Sequence, residues 1–406
     1  MKISNVEAFL MSYAMPETIE LPFWGGVRTI LKRDAMLIKV TSDNGLIGYA
    51  PGPAFSRAYD EISTVIKNFL VGKDPLLWKS FKFTNSHEVV KTYYAVEVAI
   101  LDLVGKYEEC SISELMGGRV RSSIKLYGSG GMYMAPEKYA EEAAAIKEMG
   151  FPAYKMRPGM GPDEDLRTVE LMRKVTGQMG LMVDAHTWWR MGNKSYTPQT
   201  IRELARSMKK FSPYWLEEPF LPEDHLAYKK LKEDGFVTVA TGEHEQEYEG
   251  FEDLARLKAT DFLQMDVCCQ GGFEMGLKVF DLAAANNMKF AFHSWGTTLE
   301  VLAAAQLGVC RDESVVEWLE YPCYSSPTRA GMYPFPLSDE ILKNPLEIEK
   351  GYLKLPTGHG LGIDVNEEVI HKYPFIPGPW SFFLQDSPKE TIAVTGDHSV
   401  KWVKGQ

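Results

Sequence analysis

Trp215-Leu216-Glu217-Glu218-Pro219 is a short apolar run that stops on two acids and a proline. Two or three apolar residues closed this abruptly suit a buried strand that empties into a loop, because proline cannot continue a ladder. The same texture recurs outward in both directions. Apolar runs occupy 124–128, 153–157, 181–184, 215–218, 238–243, 262–266, 289–293 and 315–319. Helical patterns such as 136–149 and 198–211 separate them. Strands alternating with helices predict βαβ units and a parallel sheet, and eight runs in about 200 residues suit a closed barrel better than an open sheet.

The ends of these runs are ionisable. They carry Lys155 and Arg157, Asp184 and His186, Glu217 and Glu218, then Glu243, Asp266, His293 and Glu317. From Lys155 to Glu317 the successive separations are 29, 33, 26, 23, 27 and 24 residues. That is one βα-unit each time, so these side chains converge on the C-terminal face of a barrel, where such folds place their chemistry.

The flanks read differently. Residues 1–11, 34–42 and 46–50 alternate as strands, with Asp43-Asn44-Gly45 as a hairpin turn, and helices follow at 61–70 and 89–107. This gives an α+β unit over 1–122, a barrel over 123–325 and a C-terminal segment, 326–406, expected to pack on the first unit. The 406 residues are 45% hydrophobic and 24% charged with a net charge of −11, which is ordinary globular composition. The acidic balance argues against nucleic acid or an anionic membrane as partner. A small anionic substrate stays open, since one metal or lysine reverses the field inside a pocket. No run of about 18 apolar residues is present, and the N-terminus alternates like a strand, unlike a signal peptide. Cys110, Cys268, Cys269, Cys310 and Cys323 fit no metal spacing and read as reduced thiols of a cytoplasmic protein.

Three acids converging on one point, Asp184, Glu217 and Glu243, repel one another unless a cation lies between them. Any one alone is equally well a helix cap; three in register point to a metal, and all-oxygen ligation favours Mg²⁺, with Mn²⁺ as its substitute. Lys155 and Arg157 share one strand face. A lysine beside a guanidinium and a metal is expected to have a lowered pKa and to serve as general base. Asp266 beside His293 would fix the imidazole's tautomer and raise its basicity. Glu317 is read either as a protonated donor to a developing oxyanion or as a structural salt bridge. These parts suit removal of a proton next to a carboxylate.

The sequence resembles the enolase superfamily, in particular its mandelate racemase subgroup. Tyr154-Lys155-Met156-Arg157, Val183-Asp184-Ala185-His186, Leu216-Glu217-Glu218-Pro219, Thr241-Gly242-Glu243, Gln264-Met265-Asp266 and Phe292-His293-Ser294 carry the resemblance in the barrel. Leu101-Asp102-Leu103-Val104-Gly105-Lys106, Leu115-Met116-Gly117-Gly118 and Gly360-Leu361-Gly362-Ile363-Asp364-Val365 carry it outside. The resemblance implies a (β/α)7β TIM-like barrel under an α+β capping domain built from both chain ends. It implies one Mg²⁺ on Asp184, Glu217 and Glu243, with Lys155 and the His293–Asp266 dyad as acid and base. Cap loops near Phe23-Trp24-Gly25-Gly26 would choose substrates, with Arg28 as a candidate for a distal carboxylate and Arg157 for substrate binding. Trp188 is read as lining the pocket or packing the core.

Arg157 and His186 depart from the commonest pattern, and His186 resembles the acid or base of sugar-acid dehydratases. A Mg²⁺-dependent dehydratase of an aldonate or aldarate, yielding a 2-keto-3-deoxy acid, is therefore expected. A racemase or epimerase of a 2-hydroxy acid is the near alternative, and a non-catalytic ligand-binding relative the distant one. A homo-oligomer is expected from the architecture.

Overall fold

The computed structural model describes residues 1–324, 332, 335–386 and 389–394, with the side chains of Cys269, Lys389 and Glu390 excepted. The expected boundary between 325 and 326 lies outside the described residues. Eight parallel strands form the centre: β4 (Ser123–Met132), β5 (Ala153–Arg157), β6 (Gly180–Asp184), β7 (Trp215–Glu217), β8 (Val239–Thr241), β9 (Phe262–Met265), β10 (Lys289–Phe292) and β11 (Val316–Pro322). Each pairs with the next, and β11 pairs with β4, which closes the barrel.

Side chains fill the barrel interior in layers. One layer takes a residue from every strand: Tyr127, Ala153, Met182, Trp215, Ala240, Phe262, Ala291 and Trp318. Three alanines stand among the four rings and Met182, so side chains interdigitate without overfilling the closed ring. Because the strand period is two, residues two further on form the next layer up. On six strands those residues are Ser129, Lys155, Asp184, Glu217, His293 and Glu320, so a polar layer rests directly on an aromatic floor.

The cap is a second sheet. The long hairpin β1 (Ile3–Phe23) and β2 (Gly26–Ser42) pairs with β3 (Ile47–Gly52) on one stretch of β2 and with β14 on another. Strands β12 (Ile348–Glu349) and β13 (Tyr352–Lys354) form a small hairpin, and β14 (Ser381–Asp386) and β15 (Lys389–Val394) form another. The C-terminal segment therefore splits its packing. Strands β14 and β15 join the cap sheet, whereas β13 pairs antiparallel with β4 of the barrel. Gly26 is required where β14 crosses: a Cβ there would sit 1.9 Å from the Leu384 carbonyl oxygen.

Asp102 ties three segments together. Its buried carboxylate accepts from the backbone N–H of Tyr49 (2.8 Å) and of Leu361 (2.7 Å) and from Lys106 Nζ (2.6 Å). The cap motif around Asp102 and the glycine-rich turn around Gly360 are thus two halves of one joint. Among the described residues no helix is long and apolar enough to cross a membrane, and Cys110, Cys268, Cys310 and Cys323 are free thiols.

Candidate active site

The polar layer sits at the C-terminal end of the barrel, below a cavity of about 570 Å³ roofed by the cap. At its centre is Lys155, fully buried, with Nζ 2.6 Å from Glu217, 3.1 Å from Glu320 and 3.4 Å from Asp184. Arg157 lies over it, 3.1 Å from both Asp184 and Glu320, with its guanidinium 3.8 Å from the Trp295 ring centre. Trp215 Nε1 donates to the other Glu217 oxygen at 2.8 Å, which fixes that carboxylate from below.

The acids around Lys155 dominate its electrostatics. Burial alone would lower its pKa, but Glu217, Glu320 and Asp184 outweigh burial and hold the ammonium well above its ordinary value. The expected lowered pKa is therefore not a property of this arrangement of acids. Burial also pushes the Glu217 carboxyl well up, with Asp184, Glu243 and Glu320 adding to it against the pull of Lys155.

His293 faces the cavity. Its Nδ1 lies 3.1 Å from Asp266, and its Nε2 lies 3.6 Å from Glu243 and 4.0 Å from Glu320. Burial opposes protonation, yet the three acids lift its pKa to about 10. The same pairing and that of His244 draw Glu243 down to about 2 against burial. His186 Nδ1 lies 2.8 Å from Asp184, but burial wins and lowers its pKa.

Had β8 continued, strand alternation would put His244 on the opposite face to Glu243. Strand β8 ends at Thr241, and Gly242 follows with φ +128, so strand alternation no longer governs it. Its ring turns back: Nδ1 lies 2.6 Å from Glu218, and Arg190 donates to Nε2 at 2.8 Å.

Three expectations are corrected. Glu317 does not belong to the polar layer. It is the extra residue of a bulge, since Phe290 pairs with Val316 while Ala291 pairs with Trp318. Its carboxylate sits at the far end of the barrel, with Lys289 (2.7 Å), Lys125 (3.3 Å) and Tyr214 (2.5 Å). Glu320 takes the place in the ring. Burial pushes its pKa up, but Lys155, His293 and Arg157 hold it below the usual range, so it is a carboxylate and an acceptor. It accepts from Ser129 Oγ at 2.5 Å and from the Ser294 N–H at 3.1 Å. Trp188 is fully buried away from the cavity, where Nε1 donates to Asp165 at 2.9 Å and its ring packs tilted against Tyr196. Trp24 is 45% exposed at the tip of the β1–β2 hairpin beside Lys194, and does not line the cavity. Phe23, Arg28, Arg157 and His186 do line it.

The carboxyl groups of Asp184, Glu217 and Glu320 crowd around Lys155, and Glu243 lies beside His293. The buried Asp184 Oδ2 and Glu243 Oε2 accept no hydrogen bond and have only ion-pair neighbours at 3.1 Å or more. Among the described residues, Glu218, Glu243 and His244 place ligand atoms within 4.8 Å of one another. Crowded carboxyl groups with unsatisfied oxygens fit a hard cation.

Away from this face, His225 bridges two outer helices, with Nε2 2.8 Å from Glu245 and Nδ1 2.7 Å from Asp253. The hydrogen bond to Glu245 is the main reason its pKa rises to about 9. A histidine raised on folding stabilises the native state fully below about pH 6.5, and that share is lost as pH climbs through about 9. The gap in melting temperature between the wild type and His225→Gln should thus be widest near pH 6 and close by pH 10. A pH-independent gap would assign the loss to packing.

Comparison with known proteins gives this geometry a setting. Residues 138–369 match the family described as Enolase C-terminal domain-like, and residues 7–117 match Mandelate racemase / muconate lactonizing enzyme, N-terminal domain. The D-galactarolactone cycloisomerase of Agrobacterium fabrum is 28% identical over 395 residues, covering 92% of this chain and 99% of that protein. The D-gluconate dehydratase of Thermoproteus tenax is 25% identical over 367 residues, covering 84% and 69%. The crystal structure of the 3,6-anhydro-D-galactonate cycloisomerase from Zobellia galactanivorans superposes with a TM-score of 0.75 at 28% identity, over 92% of this chain and 99% of that one. Barrel, two-ended cap and both family matches agree: the chain belongs to the mandelate racemase/muconate lactonizing enzyme family of the enolase superfamily.

Proposed function

We propose that this protein is a Mg²⁺-dependent enzyme that removes the proton next to a sugar acid's carboxylate and expels the oxygen on the next carbon. The reading rests on one observation above all: the His293–Asp266 dyad and Glu243 open into one cavity over the acid-surrounded Lys155. Asp184, Glu217 and Glu243 are assigned as metal ligands. When bound, Mg²⁺ supplies a Lewis acid for the substrate carboxylate and neutralises the acids that hold the Lys155 proton.

Either Lys155 or a neutral His293 takes the α-proton, and Asp266 holds the His293 ring so that Nε2 points into the cavity. A protonated His293 can give its Nε2 proton to the departing C3 oxygen, and His186 is the second candidate for that step. Glu320 is assigned as the counter-anion that orients Lys155 and Arg157. Loss of water from an open chain gives a 2-keto-3-deoxy acid. Where the oxygen on C3 belongs to a ring, the same bond cleavage opens the ring; the near-complete coverage of a galactarolactone cycloisomerase favours this second reading. The cytoplasm and a homo-oligomer are proposed as its setting.

A panel of aldonates, aldarates and their lactones with Mg²⁺, followed for 2-keto acid, tests the proposal. Product from acyclic acids supports dehydration, and product from lactones alone supports ring opening. Solvent deuterium uptake with no elimination would select racemisation or epimerisation. Neither product nor exchange would overturn the enzymatic reading in favour of a ligand-binding relative.

A further inference from the structure

Strand β9 ends at Met265, and the chain turns through a short π-helical segment, Val267–Gly271. Such pieces recur at functional sites. This one wraps Asp266, the acid of the His293 dyad. The Cys268 N–H donates to the Asp266 carboxylate at 2.9 Å, and the Gln270 N–H donates to the Asp266 carbonyl at 3.0 Å. The Gln270 side chain then returns over the same residue, where Oε1 accepts the Asp266 N–H at 2.6 Å.

The other half of that amide reaches a different loop. Gln270 Nε2 donates to the Gly242 carbonyl at 3.0 Å and to the Glu245 carbonyl at 2.8 Å. These two carbonyls flank Glu243 and His244, and the Glu245 N–H closes the turn on the Gly242 carbonyl at 3.0 Å. The partners fix which end of the amide is which, since a backbone N–H only donates and a carbonyl only accepts. Gln270 is 5% exposed and both its Nε2 hydrogens are committed, so it lines the cavity wall while binding protein. One side chain thus joins the loop after β8 to the loop after β9. The first loop carries Glu243 and the second Asp266, and both acids approach the His293 ring, at 3.6 and 3.1 Å.

We propose that Gln270 is a positioning residue that fastens the loop of Glu243 to the loop of Asp266, so that the cation site and the His293 ring keep one fixed spacing. This rests on the assignment of Glu243 to the cation and of His293 to the proton. Gln270 touches neither substrate nor cation; it acts through the backbone of the residues that do.

Two substitutions separate the tie from packing. Gln270→Met keeps the volume and removes all of these side-chain bonds. Gln270→Glu keeps an acceptor for Asp266 but turns a second oxygen toward two carbonyls. Gln306→Met is the control, because buried Gln306 makes a similar tie elsewhere, accepting from the Ser113 N–H at 3.3 Å and donating to the Leu361 carbonyl at 3.1 Å. Circular dichroism confirms each fold. Manganese titration followed by electron paramagnetic resonance should show binding weakened roughly 10–100-fold in both Gln270 variants, the range for groups that hold metal ligands, and within about twofold of wild type in Gln306→Met. Mg²⁺ should slow amide exchange over residues 262–270 in the wild type and leave it unchanged in Gln270→Met. On any acid that the substrate panel shows to be turned over, the loss in Gln270→Met at saturating Mg²⁺ should fall on kcat, with KM within about threefold.

Wild-type Mn²⁺ affinity in a folded Gln270 variant, an equal loss in Gln306→Met, or a Mg²⁺ effect on residues 262–270 that survives Gln270→Met would overturn the tie and leave the sugar-acid reading intact. A loss confined to KM would also overturn it, making Gln270 a substrate-binding residue. A wild type that binds no Mn²⁺ would overturn the tie and the cation assignment together. The expected metal and exchange results with no acid turned over would keep the tie and discard the reaction.

Discussion

Turnover falls by roughly 10²–10⁴-fold when His293 is replaced by Asn, the range a positioned acid–base group contributes, while Mg²⁺ affinity stays within about threefold. The split follows from where the ring sits. His293 bonds Asp266 through one nitrogen and turns the other into the cavity, and its nearest Glu243 approach is 3.6 Å. Asn keeps a hydrogen-bonding group for Asp266 but exchanges no proton. The assigned ligands lose no hydrogen bond to the ring. Manganese titration followed by electron paramagnetic resonance reads the metal site, and product formation reads the chemistry. A variant with near wild-type turnover would remove His293 from the mechanism; one that lost the metal as well would make it part of the cation site.

The second large effect contrasts two glutamates three residues apart. Glu320→Ala leaves Lys155 and Arg157, 0% and 3% exposed, short of a buried partner, and removing one side of such a pair costs about 3–5 kcal/mol. Glu320→Gln keeps hydrogen bonding to Ser129 and Ser294 and is expected to fold, yet to lose roughly 10²-fold in activity through misplaced Lys155 and Arg157. Glu317→Gln lowers the melting temperature by a few degrees through its ties to Lys289 and Tyr214 and leaves turnover within about twofold. Denaturation and steady-state kinetics on the three variants check this. A Glu317→Gln enzyme that folds but is inactive would reverse the assignment.

The contrast also shows how far the sequence could be read. The barrel was legible because each strand end is an abrupt change from apolar to ionisable, repeated at one βα-unit. Lys155, Asp184, Glu217 and His293 each lie two residues beyond an apolar residue of the inner layer, so strand alternation places them without further information. Glu317 broke the pattern for two local reasons. A bulge removed it from the alternation, and β11 continues three residues past Leu319, to Pro322. The signal for Glu320 was present in Trp318, a large inner-layer ring two residues earlier. Trp188 and His244 lie past their strand ends, where periodicity carries no direction and loop geometry decides. The cap end of the cavity was only half readable: Arg28 was identifiable, but the rings of Trp380 and Phe383 that hold it come from a strand paired across the whole length of the chain.

That long-range pairing has a consequence for how the protein is made. Ser381, which accepts from Arg28, is added 353 residues after it. Synthesis at about 5–20 residues per second leaves the β14-binding edge of β2 without its neighbour for tens of seconds. During that interval residues 26–30 present unpaired backbone groups, the kind of edge that recruits foreign strands. The cationic side chains Arg28, Lys32 and Arg33 lie on or beside that stretch, and charge on an open edge discourages such pairing. The same arginines that pack under β14 in the finished sheet thus guard its edge in the nascent chain.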